Sequence, residues 1–349
     1  MSIASHARRG RLLKAQGGFS LPELLIAVTI LLIISSTVTS ALLQMTSSQQ
    51  TIANRTQLHA GVRSATELLQ QEIGQAGRIA LPGTQPGGSV TLGAAVNAAA
   101  TTATVACGGS PTGCGIFPGE LLVIDPGSWD QGLLVGKEET VEVSGVTGNQ
   151  ITIDKSIDST GATLQASFVN AHASGVKIRA LGGFATGIVP PAASGFTNGS
   201  TPSVLKLYGD INSDGSMVYV EYSCDPLPAG TGNLYRNVMA YDQATAKLAP
   251  TSSQVLLNNI ETNPNATPCF TYMPATLPTV GGVSYVLDVA ITLTVRTQLI
   301  DPVTKQYQTE TKALLNVSPR NVFNVWQLAS SGTFNRVQPM PPTVTALLP

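Results

Sequence analysis

Gly17-Gly18-Phe19-Ser20-Leu21-Pro22-Glu23-Leu24 is the stretch that organises the rest of the chain. Four basic residues and no acidic one precede it, and an uncharged run from Leu24 to Leu43 follows it. A helix rises ~1.5 Å per residue, so a run of this length can cross the hydrocarbon core of a bilayer. A carboxylate at the start of such a run is disfavoured by solvation, and Glu23 therefore needs a functional reason.

The segment from Gly18 to Glu23 resembles the processing site of type IV pilins and of type II secretion pseudopilins, since basic leader, Gly-Phe-Ser-Leu-Pro-Glu and apolar run follow one another in that family's order. The resemblance implies that a prepilin peptidase cuts after Gly18 and that Phe19, the new N-terminal residue, is N-methylated. It also implies that Glu23 acts in assembly. A single-pass inner-membrane protein follows, with its head in the periplasm or on the pilus.

Two ordinary export signals are the alternatives. A secretory signal peptide would be cleaved near Thr39-Ser40-Ala41, and a twin-arginine signal would use the basic residues before the run. Neither requires a Gly-Phe junction ahead of the apolar run or a glutamate at its start. The sequence therefore favours the pilin-like interpretation.

The composition indicates an exported, β-rich protein rather than a cytosolic enzyme. Charged residues are 11% of the chain, while Gly (34) and Pro (22) are frequent, as expected for short strands joined by many turns. Without the leader, 15 basic residues stand against 20 acidic ones, a net charge of −5. No broad basic face results, so we predict no nucleic-acid partner. Motifs of hydrolases, phosphate-binding loops and zinc proteases are absent from the sequence, and we predict that the protein is not an enzyme.

The N-terminal part divides into a leader, residues 1–18, and a stem helix, residues 19–79. The stem is predicted to be on the order of 90 Å long, with a transmembrane part at 21–43 and an amphipathic part at 44–79. In the amphipathic part, apolar residues recur at steps of three and four and define one face: Leu58, Val62, Ala65, Leu69, Ile73 and Ala76. Polar residues, including Glu67 and Glu72, occupy much of the rest.

The remainder of the chain is predicted to be mostly β-structure. Residues 84–182 contain several short strands and look like an inserted barrel or sandwich. Residues 204–329 form the main antiparallel β-domain, and residues 330–349, with four prolines, are predicted to be a flexible tail. The fold class is α+β: a pilin stem helix packed on an antiparallel β-sheet head, with an inserted small all-β domain. Short features such as Leu234-Tyr235-Arg236 resemble minor pilins of the PilW type and the related J-type pseudopilins.

The four cysteines favour disulfide bonds, because their number is even and the chain is exported. Cys107 and Cys114 flank a small loop, and Cys224 and Cys269 could join two later strands. The two other ways of pairing four cysteines stay open at this point. His172 stands alone in the inserted domain, and a lone histidine is more often structural or exposed than catalytic.

The segment from Asp210 to Glu221 matches the spacing of a calcium-binding loop, D-x-N-x-D-G-x5-E. Asp210, Asn212 and Asp214 would supply oxygen ligands, and Glu221 would supply two more. Calcium is the one cofactor that the sequence suggests. The alternative is an Asp/Asn/Gly turn between two strands, with Glu221 on a strand face.

The predicted function is that of a minor pilin, a structural subunit that primes type IV pilus assembly or occupies the tip. The implied partners are the prepilin peptidase, other pilins and minor pilins, the inner-membrane assembly platform and membrane lipid. Two alternatives stay open. A J-type pseudopilin of type II secretion shares every N-terminal feature, and a membrane-anchored adhesin or ligand-binding protein would use the insert at 84–182.

Overall fold

The computed structural model describes residues 20–81, 89–107, 112–130, 133–135, 137–227, 232–241, 247 and 254–349. The chain forms two compact units. The first contains residues 1–54 and 301–306, and the second contains residues 55–300 and 307–349. Gly18 and Phe19 lie outside the described residues.

Three α-helices are present among the described residues: α1 (Leu21–Gln75), α2 (Arg320–Ser330) and α3 (Pro342–Leu347). The stem helix α1 ends four residues before its predicted end at residue 79. The reason is Gly77, whose φ of +80° is the left-handed conformation that terminates helices. A Cβ on Gly77 would also lie 2.9 Å from the carbonyl oxygen of Phe184, so the chain turns where only glycine fits.

The strands of the described residues fall into two large sheets and three short pairs. In chain order they are β1 (Thr91–Leu92), β2 (Thr102–Ala106), β3 (Leu121–Ile124), β4 (Ser128–Asp130), β5 (Leu133–Val135), β6 (Glu139–Thr147), β7 (Gln150–Ile157), β8 (Thr163–Gln165), β9 (Ile178–Ala180), β10 (Gly183–Phe184), β11 (Val204–Gly209), β12 (Val218–Asp225), β13 (Gly232–Ala240), β14 (Val255–Glu261), β15 (Phe270–Met273), β16 (Thr279–Val280), β17 (Val283–Ser284), β18 (Asp288–Arg296), β19 (Thr309–Val317) and β20 (Val337–Gln338).

In the first unit, α1 is exposed on all sides. Every residue from Leu21 to Thr46 is exposed, and most of these residues are apolar. Within the described part of the chain, α1 is the one helix long and apolar enough to cross a membrane. A helix that is apolar all round is stable only inside lipid or inside a protein assembly.

In the second unit, the amphipathic part of α1 packs on an antiparallel sheet of order β11-β12-β13-β14-β18-β15, with β19 on the free side of β18. All six residues of the predicted apolar face of the stem are buried there, with at most 8% exposure. They share one core with inward-facing residues of the sheet, among them Leu205, Val220 and Ile291. The predicted α+β fold, a long helix on a mostly antiparallel head, is confirmed.

The inserted β-structure is a closed barrel. Its strands follow the order β1-β2-β7-β6-β3-β9, and β1 also bonds to the segment that leads into β9. The N–H of Leu92 donates to Val176 O at 2.9 Å, and the N–H of Ile178 donates to Val90 O at 2.8 Å. Closure gives the barrel its own core and leaves these six strands without a free edge.

The structure corrects the expectation of a flexible tail at 330–349. The tail contains α3 and β20, and three of its apolar side chains are almost fully buried. These three, Val344, Leu347 and Leu348, pack in one cluster with two aromatic residues of the head, Phe184 and Tyr208. Prolines made this segment look irregular, but the aliphatic residues between them supply enough apolar surface to order it.

The tail also connects the barrel to the rest of the second unit. The side chain of Gln338 is buried and bonds to barrel strand β3 through both of its polar atoms. Its Oε1 accepts the N–H of Leu121 at 3.0 Å, and its Nε2 donates to Leu121 O at 2.9 Å. A side-chain amide thus completes the hydrogen bonds of a strand end that would otherwise be unsatisfied.

Two lysines hold the C-terminal residues in place. Lys206 Nζ donates to Leu348 O at 2.6 Å, and Lys247 Nζ donates to Pro349 O at 3.2 Å. Burial lowers the pKa of Lys206, and the charge of Lys247 lowers it further, while Glu221 raises it. The end of the chain is therefore part of the folded head.

Glu120, at the start of β3, is a fully buried carboxyl group. Its Oε2 accepts the N–H of Phe117 at 3.1 Å, whereas Oε1 has no hydrogen-bond partner in the described structure. Burial raises the pKa of Glu120 to about 8, against the smaller opposing effect of the Phe117 N–H. The folded protein therefore keeps Glu120 protonated at neutral pH.

We expect Glu120→Gln to flatten the pH dependence of stability. Between the ordinary carboxyl pKa of 4.5 and about 8, the folded state holds a proton that the unfolded state has lost. The free energy of unfolding should therefore fall as pH rises through this window, by about 1.4 kcal/mol per pH unit, and Glu120→Gln should remove that slope. Urea unfolding midpoints across the window measure it. The exposed Glu67→Gln should keep the slope, and a wild-type slope in Glu120→Gln would contradict the prediction.

Candidate functional site

Glu23 lies in the first turn of α1, where it is exposed among exposed apolar residues. A carboxylate near a helix N-terminus is stabilised by the helix dipole, and Glu23 has this placement. Within the described residues of the chain, no hydrogen bond or ion pair to Glu23 is formed. A carboxylate on an apolar helix is costly in lipid unless another molecule supplies a cation or donors.

The predicted calcium loop is an Asp-centred turn that binds an arginine. The carboxylate of Asp210 is buried, and its Oδ1 accepts the N–H groups of Asp214 at 3.0 Å and Gly215 at 3.3 Å. Arg78, just after α1, places Nε 3.4 Å from Asp210 Oδ2 and donates from Nη1 to Ser213 Oγ at 2.6 Å. A guanidinium thus lies beside the loop carboxylate that a calcium ion would need.

Glu221 does not reach this loop. It lies on β12 opposite Lys206, three strand residues before the end of β11, which is about 10 Å. Its Oε2 accepts the hydroxyl of Tyr219 at 2.8 Å and pairs with Lys247 Nζ at 2.6 Å. Burial raises the pKa of Tyr219, and the charge of Glu221 raises it further. Sequence spacing alone could not show this, because a strand carries side chains away from a loop faster than a helix does.

The structure therefore does not bring the four predicted calcium ligands together. Among the residues that it describes, no three His, Cys, Asp or Glu side chains are grouped so that they could hold a metal ion. The three loop residues fit calcium only if the Arg78 guanidinium leaves Asp210. Calcium binding by this loop stays a prediction.

Calorimetry with calcium tests it directly. If the loop binds calcium, we expect binding heat from the wild-type protein and none from Asp214→Ala, which removes a ligand. Since Arg78 and calcium would compete for the same carboxylate, Arg78→Gln should tighten binding. An absence of heat in both the wild-type protein and Arg78→Gln would end the calcium prediction.

Both disulfides join the pairs favoured from the sequence. Cys107 and Cys114 are bonded with Cα atoms 5.5 Å apart, across seven residues. Cys224 and Cys269 are bonded with Cα atoms 6.4 Å apart, across 45 residues. The second bond links the end of β12 to the residue before β15, in the core beneath α1. Disulfides of this kind belong to proteins that fold in an oxidising compartment.

A buried ion pair joins the stem to the sheet, and sequence reasoning missed it. Glu72 was expected on the polar side of the stem, yet it is only 3% exposed. Its carboxylate accepts the hydroxyl of Tyr222 at 2.5 Å, Arg236 Nε at 3.1 Å, and Arg236 Nη2. Burial raises the pKa of Tyr222, and the charge of Glu72 adds to the rise. Burial opposes the charged form of Arg236, but its bond to Glu72 and the Glu72 charge outweigh this, and the pKa of Arg236 is raised.

His172 is not an isolated surface residue. Its ring is fully buried, with Nδ1 3.8 Å from Asp125 Oδ2 and Nε2 3.6 Å from Glu139 Oε2. Glu139 already accepts bonds from Ser156 and from the backbone of Asn170. Neither ring nitrogen of His172 has a hydrogen-bond partner among the described residues, so the two carboxylates are its neighbours without bonding to it.

The N-terminal segment matches a known motif. A family model described as the prokaryotic N-terminal methylation motif matches residues 13–39, which include Gly18, Phe19 and Glu23. The comparison with curated proteins finds no match, and neither does that with solved structures. The motif and the exposed apolar helix support a type IV pilin-like or pseudopilin-like protein, and the two disulfides fit that class. The motif implies a membrane-anchored, pilus-associated protein and, in general terms, interaction with a prepilin peptidase and with other pilins.

Proposed function

We propose that the protein is a minor pilin that primes type IV pilus assembly or occupies the pilus tip. The observation that carries the proposal is the methylation motif at the start of the exposed apolar part of α1, in which Glu23 is the one carboxylate. The helix holds the subunit in the inner membrane until the assembly platform extracts it into a filament. In both places its apolar surface is covered, first by lipid and then by other stems.

The size of the head favours a subunit that is present in few copies over one that repeats along the filament. It contains a complete barrel in addition to the sheet that packs on the stem. A large, weakly charged head is difficult to repeat in every turn of a filament, whereas the tip has room for it. A J-type pseudopilin of type II secretion is the nearest alternative, and a deletion strain separates the two, because it loses pili in one case and secretion in the other.

Mass spectrometry of the mature N-terminus tests the processing step. We expect the chain to begin at methylated Phe19. Gly18→Ala should block cleavage, because the pilin-like motif implies a peptidase that cuts after glycine, and should leave a heavier precursor in the membrane. A mature chain that begins near Ala41 would mean an ordinary signal peptide and would refute the pilin assignment.

A further inference from the structure

The turn at residues 301–306, here called the Asp301 turn, belongs to the same compact unit as the apolar part of α1. The side chain of Asp301 holds it there. Its Oδ1 accepts the Thr51 hydroxyl at 3.2 Å and the backbone N–H groups of Val303 at 2.7 Å and Thr304 at 3.0 Å. Asp301 is 1% exposed. One buried carboxylate therefore fixes the turn on α1 beside Thr51.

The surface of the turn combines apolar side chains with a cation. Val303 is 63% exposed, and Lys305 is also exposed. Leu299 and Ile300, which precede the turn in the chain, are 63% and 51% exposed. Exposed apolar side chains in sequence proximity mark an interaction surface. Aliphatic residues with a lysine are typical of segments that lie in the interface between membrane and water.

The position of the turn along α1 identifies the surface that it meets. The apolar run of α1 ends at Leu43, where Gln44 begins a polar stretch, and Thr51 lies eight residues further on, about 12 Å along the helix axis. The headgroup layer adds about 5–8 Å to the hydrocarbon core on each side of a bilayer. With Leu43 at the edge of the hydrocarbon core, the Asp301 turn lies just above the headgroups. The side chains of the turn can then reach the headgroup layer.

We propose that the Asp301 turn contacts the membrane surface while the subunit is anchored in the bilayer. Val303 touches the outer side of the headgroup layer, and Lys305 lies beside anionic lipid headgroups. The contact gives the subunit a second attachment besides α1, and extraction into a filament has to break it. The inference rests on the membrane-anchored state in the proposed function and adds a lipid contact outside the membrane-spanning helix.

Depth-dependent fluorescence quenching in nanodiscs tests the contact with the full chain. All four native cysteines are in disulfide bonds, so Val303→Cys introduces a single free thiol to which an environment-sensitive dye can be attached. We expect the dye at residue 303 to lose emission to a headgroup nitroxide and to keep it with lipids brominated at mid-chain. A dye on Leu31→Cys, in the middle of the apolar run, should show the opposite pattern. A dye on Leu164→Cys, an exposed residue of barrel strand β8, should respond to neither.

The outcomes are distinguishable. Quenching at residue 31 without quenching at residue 303 leaves the anchor intact and overturns the proposed contact. No quenching at residue 31 overturns membrane anchoring and the contact together. Headgroup quenching at residue 303 that disappears when each nanodisc holds a single chain shows contact with a second copy instead of lipid, which also overturns the proposal.

The charge of Lys305 supplies a second measurement. We expect Lys305→Asn to lower the ratio of lipid-bound to free turn about fivefold in anionic nanodiscs, the effect of one lysine at a charged membrane surface. Asparagine tolerates the positive φ of 58° at this position, so the turn should keep its shape. In zwitterionic nanodiscs the substitution should change nothing, and an equal effect in both lipids would contradict a role for the charge.

Discussion

Glu72→Ala is expected to destabilise the second unit by about 3–5 kcal/mol, because it removes one half of a buried ion pair and leaves the other half uncompensated. Arg236 and Tyr222 both bond to the Glu72 carboxylate, so the substitution orphans a cation and a hydroxyl at once. Tyr222 is buried, so water cannot replace its lost bond without opening the contact between stem and sheet, whereas the Arg236 side chain is 27% exposed and keeps some access to water. Urea unfolding of the full chain in detergent measures the loss.

Two controls separate this effect from simple removal of a glutamate. Glu67 lies on the same helix and forms an exposed pair with Arg63 at 2.7 Å. Surface pairs contribute little, so Glu67→Ala should leave the unfolding midpoint almost unchanged. The double substitution Glu72→Leu with Arg236→Met replaces the pair with apolar volume and should recover most of the stability. A double variant as unstable as Glu72→Ala would show that packing, rather than an unpaired charge, is responsible.

Glu23→Ala is expected to abolish incorporation into filaments while leaving cleavage after Gly18 intact. In an assembled core of apolar stems, we expect the Glu23 carboxylate to pair with the methylated amine of Phe19 in a neighbouring subunit. Removing the carboxylate leaves that amine buried without a partner, which a low-dielectric core does not tolerate. Immunoblots of sheared pili and of membranes report the distribution, and mass spectrometry reports cleavage.

The isosteric Glu23→Gln isolates the role of charge. It keeps the shape and some hydrogen bonding of glutamate, so it should also be cleaved and should also be absent from filaments. Filaments that contain Glu23→Gln at the wild-type level would refute the charge pairing. Loss of both variants from the membrane fraction would point instead to a defect in anchoring.

The stem could be predicted from the sequence because its signals are local. All six residues that apolar steps of three and four identified are buried on the sheet, whereas the buried polar residues of α1, Thr66 and Glu72, were not identified. The motif around Gly18 and Glu23 is equally local, and a family model matches it. Short strands with turn residues between them were enough to indicate an inserted β-domain, although its closure into a barrel depends on bonds between residues about 80 positions apart, such as Leu92 and Val176.

The features that sequence reasoning missed depend on distant partners. Glu72 looked like a surface residue of the stem because its partners, Tyr222 on β12 and Arg236 on β13, lie far from it in the sequence. The ion pair of Asp210 was missed because its partner, Arg78, lies far away in the sequence, just after the stem helix. The tail looked irregular because its aliphatic residues have no periodic pattern and find their cluster only in the folded head.

The two lysine contacts at the C-terminus bear on how the protein can be handled and made. An affinity tag fused after Pro349 would extend from a chain end that Lys206 and Lys247 hold against the head. The turn at Gly148 and Asn149, between barrel strands β6 and β7, is exposed, so a tag inserted there should disturb the fold less. Because Leu348 packs in one cluster with Phe184 and Tyr208, a tag that pulled Pro349 away from the head would also open this apolar cluster.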